Sequence, residues 1–153
     1  MRCSLTPSNR AVSYPFVHRI RTRFAETDAM GVIHHGAYPT YLEEARVAML
    51  RDSDQSHDEI REAGLDFAVI ELFVRYRKPL RFDELVDVSV TLGGLTRATF
   101  QVAYLLQVAE ETRATAVTVH AVIDRAGKGV RLPAWLSDLV GRTLPITGTP
   151  SRH

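Results

Sequence analysis

A chain of 153 residues is long enough for one compact domain with its own core and too short for two. Its 45% hydrophobic and 24% charged content suits a folded globular protein, and 19 basic against 18 acidic residues leave a formal charge of +1, which gives no electrostatic reason to expect a nucleic-acid partner. No apolar run approaches the roughly 20 residues that cross a bilayer, the polar start lacks the apolar block of a secretory signal, and a single cysteine, Cys3, excludes a disulfide framework. The expectation is a cytoplasmic protein that does not associate with membranes.

Residues 1–14 are polar and carry turn formers, and 141–153 contain Pro145, Gly148 and Pro150. The first is expected to be disordered and the second a flexible tail, leaving 15–140 as one domain. Over 17–23, Arg19, Arg21 and Arg23 alternate with His18, Ile20 and Thr22, the period of two of a strand. The arginine face reads either as a phosphate-binding row or as a solvated strand edge. A segment dense in glycine and histidine follows. Then Tyr38, Tyr41, Leu42, Ala45, Ala48 and Met49 recur at helical spacing over 39–52, about four turns, with Pro39 suited to the first turn. A short helix is expected over 59–63, with Gly64 as its C-terminal cap.

Strands are expected over 67–77, 85–95, 98–109 and 112–124. The connections at Gly93-Gly94 and Glu110-Glu111 are too short for the crossovers that parallel neighbours need, so the sheet is antiparallel. Over 85–95, Val86, Val88, Val90 and Leu92 share one face and Asp87, Ser89 and Thr91 the other, which predicts an apolar face under a helix and a wet face opposite. Over 98–109 both faces are apolar, and a partner subunit is the expected second cover. One long helix on a five-stranded antiparallel sheet is an α+β layer arrangement.

The chemistry concentrates in residues 27–38. Asp28 sits between a strand end and a helix start, where unpaired main-chain amides carry partial positive charge, and Gly31 and Gly36 permit tight backbone turns. A carboxylate there can attack a carbonyl or draw a proton from water, or it can simply cap a turn. His34 and His35 are too alone to form a metal site: adjacent side chains diverge, and no second ligand pair follows.

The run Arg23-Phe24-Ala25-Glu26-Thr27-Asp28-Ala29-Met30-Gly31-Val32-Ile33-His34-His35, then Tyr38 and Tyr41-Leu42-Glu43-Glu44-Ala45-Arg46, resembles hotdog-fold acyl-CoA thioesterases of the 4-hydroxybenzoyl-CoA thioesterase type. The likeness extends through residues 76–81 and 131–133 and covers roughly 16–136. It implies a hotdog fold, a long central helix wrapped by the sheet, and Asp28 as nucleophile or general base. It also implies that the main-chain amide of His35 polarises the thioester carbonyl. Gly31, His34, Gly36, Tyr38, Glu43, Arg77 and Lys78 follow as substrate-binding candidates, and Glu43 with Arg46 matches a helix pair of the family. The resemblance implies a homodimer or homotetramer whose subunits join into one continuous sheet. No metal or cofactor is expected. The substrate is an acyl-CoA thioester or, alternatively, an acyl-carrier-protein thioester releasing a polyketide or fatty acyl chain; a third reading is a hotdog module that binds an acyl thioester without turning it over.

Overall fold

The computed structural model describes residues 4–53 and 57–142. Five strands, β1 (Phe16–Arg21), β2 (Leu65–Tyr76), β3 (Leu85–Gly93), β4 (Thr99–Val108) and β5 (Glu111–Asp124), form one antiparallel sheet in the order β1-β3-β4-β5-β2. Helix α1 (Tyr38–Asp52) lies on its inner face, and a shorter helix α2 (His57–Glu62) leads into β2. This is the hotdog arrangement, with the two long hairpins placed where the short connections require them.

Tyr41, Leu42, Ala45 and Met49 of α1 pack against Val86, Val88, Val90 and Leu92 of β3, Phe100, Val102, Tyr104 and Leu106 of β4, and Ala114, Ala116 and Val122 of β5. Each large apolar side chain buried this way contributes about 1.5–3 kcal/mol. Ala45 is fully buried, and its small side chain lets the helix axis approach the sheet. At the C-terminal end, the Ser53 amide donates to the Met49 and Leu50 carbonyls.

The even-numbered face of β3 is buried as expected, but the opposite face is not wet: Ser89 and Thr91 are each only 1% exposed. Nor is a second subunit needed over the outer face of β4. Of the stretch 1–14 expected to be loose, the described part, 4–14, lies there: Tyr14 packs on Ala103, Leu105 and Val117, with Leu5 beside them. The side chain of Gln101 accepts the Ser4 and Leu5 amides at 2.9 and 3.1 Å and donates to Ser4 Oγ at 2.8 Å. The Tyr14 hydroxyl donates to the Ser8 carbonyl at 2.7 Å.

Sequence reading offered no helix after Pro133, yet α3 (Ala134–Arg142) closes one end of the core with Leu136 fully buried and Trp135, Leu139 and Val140 packed against it. The rest of the expected tail, 143–153, and Cys3 lie outside the described residues. The arginine row is a solvated strand edge: Arg19 pairs with Asp87 at 2.8 Å and Arg21 with Asp83 at 2.9 Å, while Arg23, past the strand, pairs with Glu26 at 3.0 Å. Among the described residues no helix is long and apolar enough to cross a membrane.

Candidate active site

The chain leaves β1 through a 3-10 turn, Phe24–Glu26, and doubles back so that Thr27 and Ile33 form an isolated antiparallel bridge. Within this loop the Asp28 amide donates to the Val32 carbonyl at 2.9 Å and the Gly31 amide to the Asp28 carbonyl at 3.0 Å. Gly31 holds a φ of +75°, which a side-chain-bearing residue rarely adopts. Two further bonds fix the loop to the body: Ile33 amide to Leu80 carbonyl and His34 amide to Glu26 carbonyl, both 2.8 Å.

Asp28 serves as a turn former and keeps reactive capacity at the same time. Its Oδ1 accepts the Met30 amide at 2.9 Å in an Asx turn, while Oδ2 has no partner among the described residues. The carboxylate is half-buried and faces an open depression of about 480 Å³, lined by Arg23, Glu26, Thr27, Asp28, His34, Ala37 and Thr40 among others.

A 3-10 turn, His35–Ala37, runs directly into α1. His34 caps it: Nδ1 accepts the Gly36 amide at 2.9 Å, so the ring proton sits on Nε2. The His34 and His35 rings lie 4.1 Å apart and 32° from parallel. The Ala37 amide bonds to the His34 carbonyl and the Tyr38 amide to the His35 carbonyl. The His35 amide is left without an acceptor among the described residues, at the positive end of the long helix.

Beneath the depression, Glu26 Oε1 accepts the Tyr41 hydroxyl at 2.7 Å and the Arg23 amide at 2.8 Å. Burial alone would raise the Glu26 carboxyl, but the Tyr41 and Arg23 hydrogen bonds outweigh it and hold the group below its ordinary range. Burial, then the bond to Glu26, pushes the Tyr41 hydroxyl far up.

Of the sequence candidates, Asp28 and His34 share the depression, while His35 and Gly36 stand exposed beside it and Gly31 at the loop tip. Tyr38 is buried, its ring edge-on to Tyr76 at 4.9 Å. The Tyr76 hydroxyl donates to the His35 carbonyl at 3.4 Å. Glu43 is exposed lower on α1. Arg77 and Lys78 do not line the depression: their amides both donate to the Arg113 carbonyl, and Lys78 Nζ pairs with Glu111 at 2.8 Å. Tyr76, Thr40 and the Glu26–Tyr41 pair were not singled out from sequence. The spacing of Arg23, Glu26 and Tyr41 carries no signal, because loop closure rather than helix or strand period brings them together. Among the described residues no three His, Cys, Asp or Glu side chains cluster closely enough to hold a metal ion.

Comparison with known proteins identifies the family. Residues 22–140 match the model of the thioesterase-like superfamily. A protein of Aquifex aeolicus, an esterase by provisional name, is 36% identical over 119 residues, spanning 78% of this chain and 92% of its own. The acyl-CoA thioester hydrolase YbgC of Escherichia coli O6:H1 is 29% identical over 76 residues, half of this chain and 57% of its own. The crystal structure of a DHNA-CoA thioesterase from Staphylococcus aureus superposes with a TM-score of 0.75 at 30% identity, covering 80% of this chain and 84% of that one.

Proposed function

The chain belongs to the thioesterase-like superfamily and is a thioester hydrolase; from that premise we propose that it cleaves acyl-CoA thioesters through Asp28 and the main-chain amide of His35. The observation that carries this reading is the pairing, on one short loop, of a carboxylate with an open oxygen and an amide with no acceptor at a helix start. The thioester carbonyl oxygen takes its hydrogen bond from the His35 amide. Developing negative charge is then met by a fixed donor and the helix dipole, an arrangement worth about 2.7–4 kcal/mol per donor in acyl-transfer enzymes.

Asp28 either attacks the carbonyl carbon, forming an acyl anhydride that water cleaves, or takes a proton from the water that attacks. In both routes the carbon–sulfur bond breaks and the CoA thiolate leaves, taking up a proton. His34, turned into the depression with its Nε2–H, supports the substrate. The finer assignment to the 4-hydroxybenzoyl-CoA thioesterase type rests on the run over residues 23–35.

The same reading includes a homodimer. β2 is an edge strand whose Val69, Ile70, Leu72, Phe73 and Tyr76 are 38–50% exposed, a long apolar edge that proteins rarely leave uncovered. Pairing with a second copy's β2 would extend the sheet across both subunits beside Tyr76 and His35. A cytoplasmic location fits a CoA substrate.

The test is Asp28→Asn assayed on aromatic, branched and straight-chain acyl-CoAs by release of free thiol. Loss of about 10³-fold or more in kcat with the fold intact is expected; turnover at the native rate rejects the assignment. Label found in Asp28 after a single turnover in ¹⁸O-water establishes nucleophilic attack with water opening the anhydride at the Asp28 carbonyl, and trapping of the acyl-enzyme identifies that route when water opens it at the acyl carbon instead.

A further inference from the structure

The two groups assigned to the reaction sit on different stretches of chain. Asp28 rides on the loop 27–33, which is closed on itself by the Thr27–Ile33 bridge and by the Asp28–Val32 and Gly31–Asp28 hydrogen bonds. The His35 amide belongs to the turn that runs into α1. Hydrolysis needs both at one carbonyl, and a misplacement of about 1 Å can cost about a hundredfold in rate. The loop must therefore be fixed against the helix, and its bond from the Ile33 amide to the Leu80 carbonyl ties it to the segment before β3 instead.

Glu26 makes the missing connection twice. Its main-chain carbonyl accepts the His34 amide at 2.8 Å, one residue before the His35 amide. Its side chain reaches α1 itself, where Oε1 accepts the Tyr41 hydroxyl at 2.7 Å. Tyr41 is fully buried in the core under the sheet, so that hydroxyl is a fixed donor. Glu26 lies two residues before Asp28, within about 7 Å even along a fully extended chain.

The Glu26 carboxylate is held from the other side as well. Oε1 also accepts the Arg23 amide at 2.8 Å, and Oε2 accepts the Arg23 guanidinium at 3.0 Å. Two carboxylates thus line one depression in different states. Asp28 keeps an oxygen without a partner among the described residues, whereas both oxygens of Glu26 are engaged by donors that a reacting acid would have to surrender.

We propose that Glu26 is a positioning residue: through Tyr41 and His34 it fixes the Asp28 loop against the start of α1 and so aims the carboxylate at the carbonyl held by the His35 amide. This rests on the acyl-CoA hydrolysis proposed above. The role requires an acceptor at the position of Oε1, not a negative charge. Glutamine supplies that acceptor at the same reach, while aspartate keeps the charge but falls one methylene short of Tyr41. The ion pair to Arg23 adds little, because the guanidinium side chain is 67% exposed.

The experiment measures kcat and KM on the acyl-CoA of the panel above that turns over fastest, and amide hydrogen exchange over residues 27–34. The proteins are the native chain, Glu26→Gln, Glu26→Asp, Glu26→Ala, Tyr41→Phe and the double variant Glu26→Ala with Tyr41→Phe. Glu26→Gln should keep kcat within about threefold, whereas Glu26→Asp, Glu26→Ala and Tyr41→Phe should each lose about tenfold or more in kcat with KM little changed. The double variant should lose no more than Glu26→Ala, since both changes break one bond. Exchange over 27–34 should quicken in Glu26→Ala and Tyr41→Phe but not in Glu26→Gln. The reverse order, with Glu26→Asp active and Glu26→Gln inactive, would make Glu26 a reacting acid and overturn the proposal. Full kcat in Glu26→Ala or additive losses in the double variant would overturn it too. Where Glu26→Ala does not fold, Tyr41→Phe, which keeps the buried ring, decides beside Glu26→Gln. A native protein that hydrolyses none of the esters fails the function proposed above; the exchange rates over 27–34 then decide on Glu26, and unchanged exchange in Tyr41→Phe rejects the clamp.

Discussion

His120 should make the fold sensitive to mild acid, and the size of the effect follows from where it sits. Its ring is fully buried, stacked on Phe100 at 4.8 Å and 11°. The Phe67 main chain approaches Nδ1 without making a well-aligned hydrogen bond. Burial, then the Arg46 charge, pushes its pKa down to about 3. An unfolded histidine titrates near 6.5. Below that pH the unfolded chain binds a proton that the folded one refuses, so the stabilising contribution is complete above 6.5 and is lost as pH falls toward 3. At pH 5 the deficit is about 1.5 pH units, or about 2 kcal/mol. His120→Gln keeps an acceptor for Thr118 and removes the titration. Urea unfolding of both proteins at pH 7, 6 and 5 can be followed by the fluorescence of Trp135, the chain's one tryptophan, which packs 6.0 Å from Phe67. The variant should start less stable at pH 7 but lose about 2 kcal/mol less than the native protein on going to pH 5. Parallel losses in the two proteins would refute the argument.

Gly36→Ala places a Cβ 2.9 Å from His34 Nδ1, so the imidazole cap must move. We expect a loss of about 1 kcal/mol or less in stability and a tenfold or greater fall in kcat/KM, read by thermal melting beside the thiol-release assay. The β4–β5 turn puts Ala109 and Glu110 at φ +47° and +68°, a conformation that suits Asn-Gly. Ala109→Asn with Glu110→Gly should raise the unfolding free energy by about 1 kcal/mol in urea titration and leave turnover unchanged.

The strands and α1 were legible because each reports its own period: alternation over β1 and β3, three-to-four spacing over α1, and connections too short for crossovers. The cover on the outer face of β4 was not. Residues 4–14 show no period, and they are held by Gln101, nearly a hundred positions away, through side-chain hydrogen bonds that leave no pattern in composition. Helix α3 did leave a trace, in Pro133 followed by apolar residues at 135, 136, 139 and 140. It spans little more than two turns, too short for periodicity to outweigh a loop.

The site divides along the same line. Asp28 and the histidine pair stand out by residue type and by position ahead of a helix, yet turn former and reactive acid looked like alternatives. The two readings are compatible, because a carboxylate has two oxygens: Oδ1 builds the Asx turn while Oδ2 remains open among the described residues. A hydrogen-bonded chain from Arg46 through the Tyr104 hydroxyl and Thr118 Oγ1 to His120 Nε2, at 3.1, 3.0 and 2.7 Å, was hidden for a different reason. Alternation says which residues of a strand share a face but not which face is inside. Thr118 and His120, sharing a face with Ala114 and Ala116, read as well as a wet surface as they do a core. Only packing under α1 assigns the sign. Once that face is inside, its polar groups need partners, and Tyr104, Thr118 and His120 Nε2 find them in one chain that ends on the Arg46 guanidinium.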